Sequence, residues 1–246
     1  LNTQVLYISA IVLLVAVLAG WLWQVRFRNA GIADVIWAYG LGGAAVYYAI
    51  TGPGAPAPRM VAGVLAGLWF ARLGTHIVSR LRREQHEDGR YRAMREHYGE
   101  KINRFHFFFF IGQAVAAWLF ALPVWVLAHN THQYTLLLII AAVIALIAFA
   151  GESLADRQLE TFRADPANRG KTCRAGLWKY SRHPNYFFEW LHWFAYPLLA
   201  WGAPYGGWVW LAPLLMFLFL YFFTGIPYTE QQALRSRGED YRDYQR

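Results

Sequence analysis

Cysteine is almost missing from this chain, and charge is scarce. Cys173 stands alone among 246 residues, which excludes an internal disulfide and any multi-cysteine metal site. Lys, Arg, Asp and Glu make up 15% of the residues, against roughly 25% in soluble domains, so an ordinary soluble globule is excluded as well. The chain lacks an internal repeat, a low-complexity tract and a flexible linker, and one domain over residues 1–246 is expected. No basic stretch precedes the first apolar run, so Val5–Trp23 reads as a retained helix and not as a signal-peptide core. His86-Glu87-Asp88 lacks the second histidine of a zinc-protease helix, and no metal site is expected.

What the chain has instead is hydrophobic length. Apolar residues make up 57% and aromatics 18%. Seven stretches are long enough to cross a bilayer: 5–23, 32–50, 60–79, 107–128, 134–156, 185–203 and 207–226. They predict an all-α polytopic membrane bundle of about seven transmembrane helices. Glu189 and His192 interrupt the sixth stretch, so six spans plus a re-entrant element is the alternative. Gly40-Leu41-Gly42-Gly43 has no strand before it, which makes it a close helix contact and not a nucleotide-binding turn.

A formal charge of +8 is common in nucleic-acid binders, but here the basic residues lie between apolar runs. An anionic lipid face or an anionic cofactor fits that placement better. Of the 23 Lys and Arg, 21 fall in the segments 24–31, 80–106, 157–183 and 227–246. The positive-inside rule places these four segments in the cytoplasm. The expected topology is an integral protein of a bacterial inner membrane, N-terminus outside and C-terminus cytoplasmic.

Polar residues inside the spans are costly and normally face a cavity or a partner. Asp34 and Trp37 share a helix face, as do Arg72 and His76, and Glu152 and Asp156. Asn185, Glu189 and Trp193 form one stripe with His192 beside it. Internal ion pairs, such as Arg72 with Asp34 or Glu152, are one explanation. A hydrated pocket open to the cytoplasm explains the group together, with Asp34, Tyr39, Tyr47 and Trp69 at its deeper end. Near its mouth, Pro184 suits the first turn of a helix. The N-terminus of that helix is ringed by Arg163, Arg169, Lys171, Arg174, Lys179 and Arg182, a natural anion site.

The segment Gly176-Leu-Trp-Lys-Tyr-Ser-Arg-His-Pro-Asn-Tyr-Phe-Phe-Glu189 resembles the C-terminal signature of the steroid 5-alpha-reductase-like membrane proteins. Sterol C14- and C7-reductases carry a similar segment, and isoprenylcysteine methyltransferases share its Arg-His-Pro core. Further similarity lies in Trp69-Phe-Ala-Arg-Leu73, Glu87-Asp-Gly-Arg-Tyr91, Glu152-Ser-Leu-Ala-Asp-Arg-Gln158, Phe162-Arg163, and the tail with Glu230, Leu234 and Gly238-Glu-Asp-Tyr241-Arg-Asp-Tyr244. The match is to an uncharacterised bacterial branch of the reductase-like group.

The resemblance implies a membrane-embedded reductase using NADPH on an activated C=C bond of a lipophilic, steroid-like or isoprenoid substrate, with no nucleic-acid partner. Its cofactor-binding half is residues 150–246. Cofactor contacts map onto Asp156, Arg163, Lys171, Arg174, Trp178, Arg182, His183, Asn185, Tyr186, Glu189, Tyr241 and Tyr244, with Arg72 of the third helix added. Arg and Lys suit the phosphates, Trp178 can stack on adenine, and Asn185 with Glu189 can hold the carboxamide. The early Gln-Glu pair of steroid reductases is missing and their third-helix tyrosine is Trp69, so Asp34 or Tyr39 is expected as the acid. Family members have glycine where this chain has Phe188, and different packing is expected there. A methyltransferase using S-adenosylmethionine on a lipid or prenylated thiol is the first alternative, and a non-catalytic lipid-binding protein the second. The density of cations from 157 to 182 favours the three phosphates of NADPH over a sulfonium.

The charge split generates a direct test. A single cysteine introduced at residue 55 is expected to react with a membrane-impermeant thiol reagent added outside, and one at residue 90 is not. The reverse labelling overturns the topology.

Overall fold

The computed structural model describes residues 3–83, 86–223 and 225–246, and among them only helices, turns and loops occur. Five helical stretches are long and apolar enough to cross a membrane: Gln4–Phe27, Pro56–Arg83, Gly89–Leu127, Thr135–Ala164 and Gly206–Arg237. The chain is therefore an all-α polytopic membrane protein. It divides into two compact units, Leu1–Leu138 with Leu199–Gly207, and Ile139–Leu198 with Trp208–Arg246.

The first unit contains α1 (Gln4–Phe27), α2 (Ile32–Thr51), α3 (Pro56–Arg83), α4 (Gly89–Tyr98) and α5 (Ile102–Leu127). In α1 the buried residues are Val5, Ser9, Leu13, Val17, Gly20 and Gln24, a single stripe at three- and four-residue steps. Its other faces expose Tyr7, Ile11, Val12, Val15 and Leu22, as a helix against lipid does. The buried face of α2 is mostly small: Ala33, Ala38, Gly42, Ala45 and Ala49. Without a solvent-driven hydrophobic effect, close backbone approach is what holds such helices together. Gly42 shows how close: a Cβ there would lie 2.7 Å from Cβ of Phe70 on α3. The glycine-rich stretch of α2 is thus a helix contact.

At its charged end the first unit is tied by two carboxylates. Glu87 accepts from Arg95 at 2.6 and 3.0 Å and from the Ala30 N–H at 2.6 Å. Arg95 reaches on to Gln24, which also bonds buried His106 at 3.1 Å. Asp88 caps α4 by accepting from the Arg90 N–H at 2.9 Å. Burial acts to raise the Asp88 carboxyl, but Arg90 and Arg80 outweigh it and hold it below the usual range.

The second unit contains α6 (Thr135–Ala164, from Ile139), α7 (Pro184–His192), α8 (Ala195–Leu199, to Leu198), α9 (Leu211–Leu218), a π-helical turn (Phe219–Phe223), α10 (Ile226–Arg237) and α11 (Glu239–Gln245). The stretch 185–203, expected as a sixth span, is broken after His192, and the cause is local. His192 Nδ1–H donates to the Glu189 carbonyl at 2.8 Å, the acceptor that the Trp193 N–H would use in a continuing helix. Trp193 and Phe194 bond instead to Trp190 and Leu191, three residues back, and the chain tightens and turns. The expected second span, α2, is 20 residues long and is not one of the five stretches that are both long and apolar enough to cross.

Glu87 and Arg95 form a nearly dry pair, with side chains 6% and 17% exposed. Glu87→Ala is expected to destabilise the protein in detergent by roughly 3 kcal/mol, because Arg95 and the Ala30 N–H lose their acceptor. Adding Arg95→Met should restore part of that loss, a coupling of about 1–3 kcal/mol in a thermal or chemical unfolding cycle. Additive losses would mean the pair holds nothing.

Candidate functional site

In the second unit, the loop from Asn168 to His183 has little regular structure, and its conformation is set by anchors on α6. Gly176 has φ +58°, and a Cβ there would lie 2.3 Å from the Gln158 side chain. Only glycine accommodates both constraints. Gln158 uses that space to accept from the Leu177 N–H at 2.9 Å. Trp178 is 8% exposed and donates its indole N–H to the Ala155 carbonyl at 2.9 Å. Its indole is thereby tied to α6.

From this loop the chain enters α7 through Pro184 in the first turn. Three residues around that entry, Arg182, His183 and Tyr186, meet α10. Glu230 of α10 accepts from Arg182 Nε at 3.1 Å, from His183 Nε2–H at 3.2 Å, from the Tyr241 hydroxyl at 3.5 Å and from Gln245 at 3.0 Å. Burial pushes His183 below its ordinary value, only partly offset by Glu230, so the ring is neutral and Nε2 carries the proton it donates. His183 stacks on Tyr186 with centroids 5.5 Å apart, and the Tyr186 hydroxyl pairs with Thr229 at 2.9 Å.

Farther out, Arg174 meets Asp243 at 2.9 Å and Asp240 at 3.5 Å and lies over the Tyr244 ring at 5.6 Å. The hydrogen bond to Asp243 raises its guanidinium above the ordinary value. The Asp240 carboxyl is lowered, first by its hydrogen bond with Thr172, whose N–H lies 2.6 Å away. Tyr241 is pushed up to about 12 by burial and by Glu230, and burial raises Tyr244 too. Both phenols therefore stay protonated donors at neutral pH. Tyr244 donates to the carbonyls of Trp178 and Ser181.

Asn185, the second residue of α7, donates to Asp156 of α6 at 3.5 Å. One turn on, Glu189 is 9% exposed and accepts from the Trp193 indole at 3.1 Å. Arg163 and Lys171 are exposed at the end of α6 and in the loop. The second unit thus brings together Arg174, Arg182, His183, Tyr186, Tyr241 and Tyr244, with Asn185, Asp156 and Glu189 following along α6 and α7. Glu230, Asp240 and Asp243 belong to this constellation and were not expected as site residues. The tail motif contains all three, but periodicity does not pair residues some 50 to 70 positions apart.

The remaining expected residues lie in the first unit. Asp34 accepts from Arg90 at 2.8 Å and from the Tyr91 hydroxyl at 2.8 Å, so its ion-pair partner is Arg90 of α4. Tyr39 pairs with Thr75 at 2.9 Å and is 43% exposed. Arg72 lies over the Trp69 ring at 5.5 Å. Among the described residues no cluster of three or more metal-ligating side chains occurs.

No curated protein and no solved structure matches the chain. One family model does, over residues 20–246, and the chain accordingly belongs to DUF1295, a family described as protein of unknown function.

Proposed function

We propose that the protein is a membrane-embedded reductase of the steroid 5-alpha-reductase-like kind, using NADPH on an activated C=C bond in a lipophilic substrate. The observation that carries this reading is the gathering of Arg174, Arg182 and His183 with Tyr241 and Tyr244 at the start of α7. Such a set suits a nucleotide with several phosphates, because guanidinium groups pair with phosphate oxygens. The cations are accessible, since the Arg174 and Arg182 side chains are 41% and 40% exposed. Asn185 and Glu189, one turn apart on α7, offer a donor and an acceptor that complement a carboxamide. Bound there, a reduced nicotinamide supplies hydride to the electron-poor carbon of the substrate. The basic segments lie on the cytoplasmic side in this reading, and the C-terminus is inside.

Asp34 and Tyr39 stand outside this set. Asp34 is held by Arg90 and Tyr91, and the Tyr39 hydroxyl is paired with Thr75.

One observation favours a second reading. Glu230, Asp240 and Asp243 already neutralise the cations, and together with Asp156 and Glu189 they make the surroundings rich in carboxylate. A sulfonium would be attracted to such surroundings, so a methyltransferase using S-adenosylmethionine is the competing function.

Thermal unfolding in detergent with four ligands separates the readings. NADPH at about 100 times its Kd is expected to stabilise the protein by roughly 2.7 kcal/mol, and NADH by less. Arg174→Ala should narrow the difference between them. A shift with S-adenosylmethionine or S-adenosylhomocysteine and none with NADPH establishes the methyltransferase instead. Four flat curves favour a non-catalytic lipid-binding protein.

The neutral state of His183 has its own consequence. The folded protein binds this proton less readily than the unfolded chain, so stability present above the ordinary histidine value of 6.5 is lost as pH falls toward the lower folded value. Between pH 7 and 5 the wild-type melting temperature should drop more steeply than that of His183→Asn. The single-proton slope is at most about 1.4 kcal/mol per pH unit. Parallel curves would mean that His183 titrates alike in both states.

A further inference from the structure

The break between α7 and α8 lies in an apolar stretch, and non-helical backbone at such a place persists only where protein buries it or where it lines a binding cavity. Four polar side chains crowd there. Glu189 holds the Trp193 indole at 3.1 Å, and His192 is fixed through Nδ1 to the Glu189 carbonyl at 2.8 Å. Tyr196 packs edge-on to His192 at 5.6 Å and against Trp193 at 5.4 Å. Trp193, Tyr196 and His192 are each 1% exposed. The Tyr196 hydroxyl is fully buried and has no hydrogen-bond partner among the described residues.

An unsatisfied buried hydroxyl is unfavourable, and rare enough to need a cause. Neighbouring aromatic groups fix the ring, so its hydroxyl is held in place without being used. Hydroxyl, carboxylate and indoles together define what would satisfy it. The hydroxyl is a donor. The nearby Glu189 carboxylate repels an anion, and the aromatic walls suit an apolar body. We propose that Tyr196 is a ligand-binding residue whose hydroxyl donates to the uncharged carbonyl oxygen of a lipophilic molecule seated at the helix break.

This rests on the reductase reading in one respect only: there, the carbonyl is the group that activates the double bond. Binding of the carbonyl itself needs no nucleotide.

Affinities of a polycyclic ketone and of the hydrocarbon with the same skeleton are measured on the purified full chain in nanodiscs, without nucleotide. Wild type should prefer the ketone, and Tyr196→Phe should weaken ketone binding by about 3- to 10-fold while leaving the hydrocarbon unchanged. Phenylalanine keeps the ring, so the ligand-free variant should melt at or above the wild-type temperature, because the unused hydroxyl is gone. A lower melting temperature would show that the hydroxyl has a structural partner, and the proposal falls. It falls equally if wild type shows no preference for the ketone, or if the variant keeps that preference. The four-ligand melting series tests the cofactor independently, so either result can fail alone.

Discussion

The carboxylate of Glu230 holds Arg182, His183, Tyr241 and Gln245 at one point, and the second unit's polar half is organised by that contact. Residues 169–183 form no long helix, so their backbone groups need partners from elsewhere. The tail supplies them. With Glu230 fixing its approach, Tyr244 reaches the carbonyls of Trp178 and Ser181, and Asp240 takes the Thr172 N–H. From below, α6 completes the grip through Gln158 and the Ala155 carbonyl. The first unit follows the same rule with Glu87, which joins the segment after α3 to the end of α1 and the start of α2.

Apolar length was the most legible property of the chain. Five of the seven expected stretches coincide with helical stretches long and apolar enough to cross, because in an apolar surrounding a helix is the one way a single segment satisfies its own backbone. The break after His192 was only half legible. Glu189 and His192 marked the place, but periodicity does not show a side chain competing for the carbonyl that the helix needs. Ion-pair partners were the least legible. Same-helix pairs such as Arg72 and His76 follow from geometry, whereas the pairing of Asp34 with Arg90, or of Arg174 with Asp243, depends on tertiary approach. Tyr196 gave no signal, since a tyrosine in an aromatic-rich apolar stretch reads as packing.

Phe188 precedes Glu189 on α7, and the space for its large ring is found on α6. A Cβ on Gly151 would lie 2.3 Å from the Phe188 ring, so α6 packs closely on α7 there because residue 151 is glycine. Asn185 reaches Asp156 of α6 as well, and the bulky ring and the polar stripe of α7 therefore share one contact with α6.

Two kinds of pairing coexist in the second unit, and the exposure of their carboxylates separates them. Glu230 is 19% exposed and His183 9%, and the group they belong to has four donors on one carboxylate. Removing that acceptor would strand several donors at once, which makes the inner pairing structural. Asp243 is 65% exposed and Arg174 41%, where water and salt compete with the contact and the pairing is worth little. An incoming anion can replace Asp243 on Arg174 at small cost, whereas it would have to dismantle the tail's anchorage to replace Glu230. In the proposed reading, Arg174 is the contact open to exchange, and the Glu230 assembly is the frame that holds Arg182 and His183 in place.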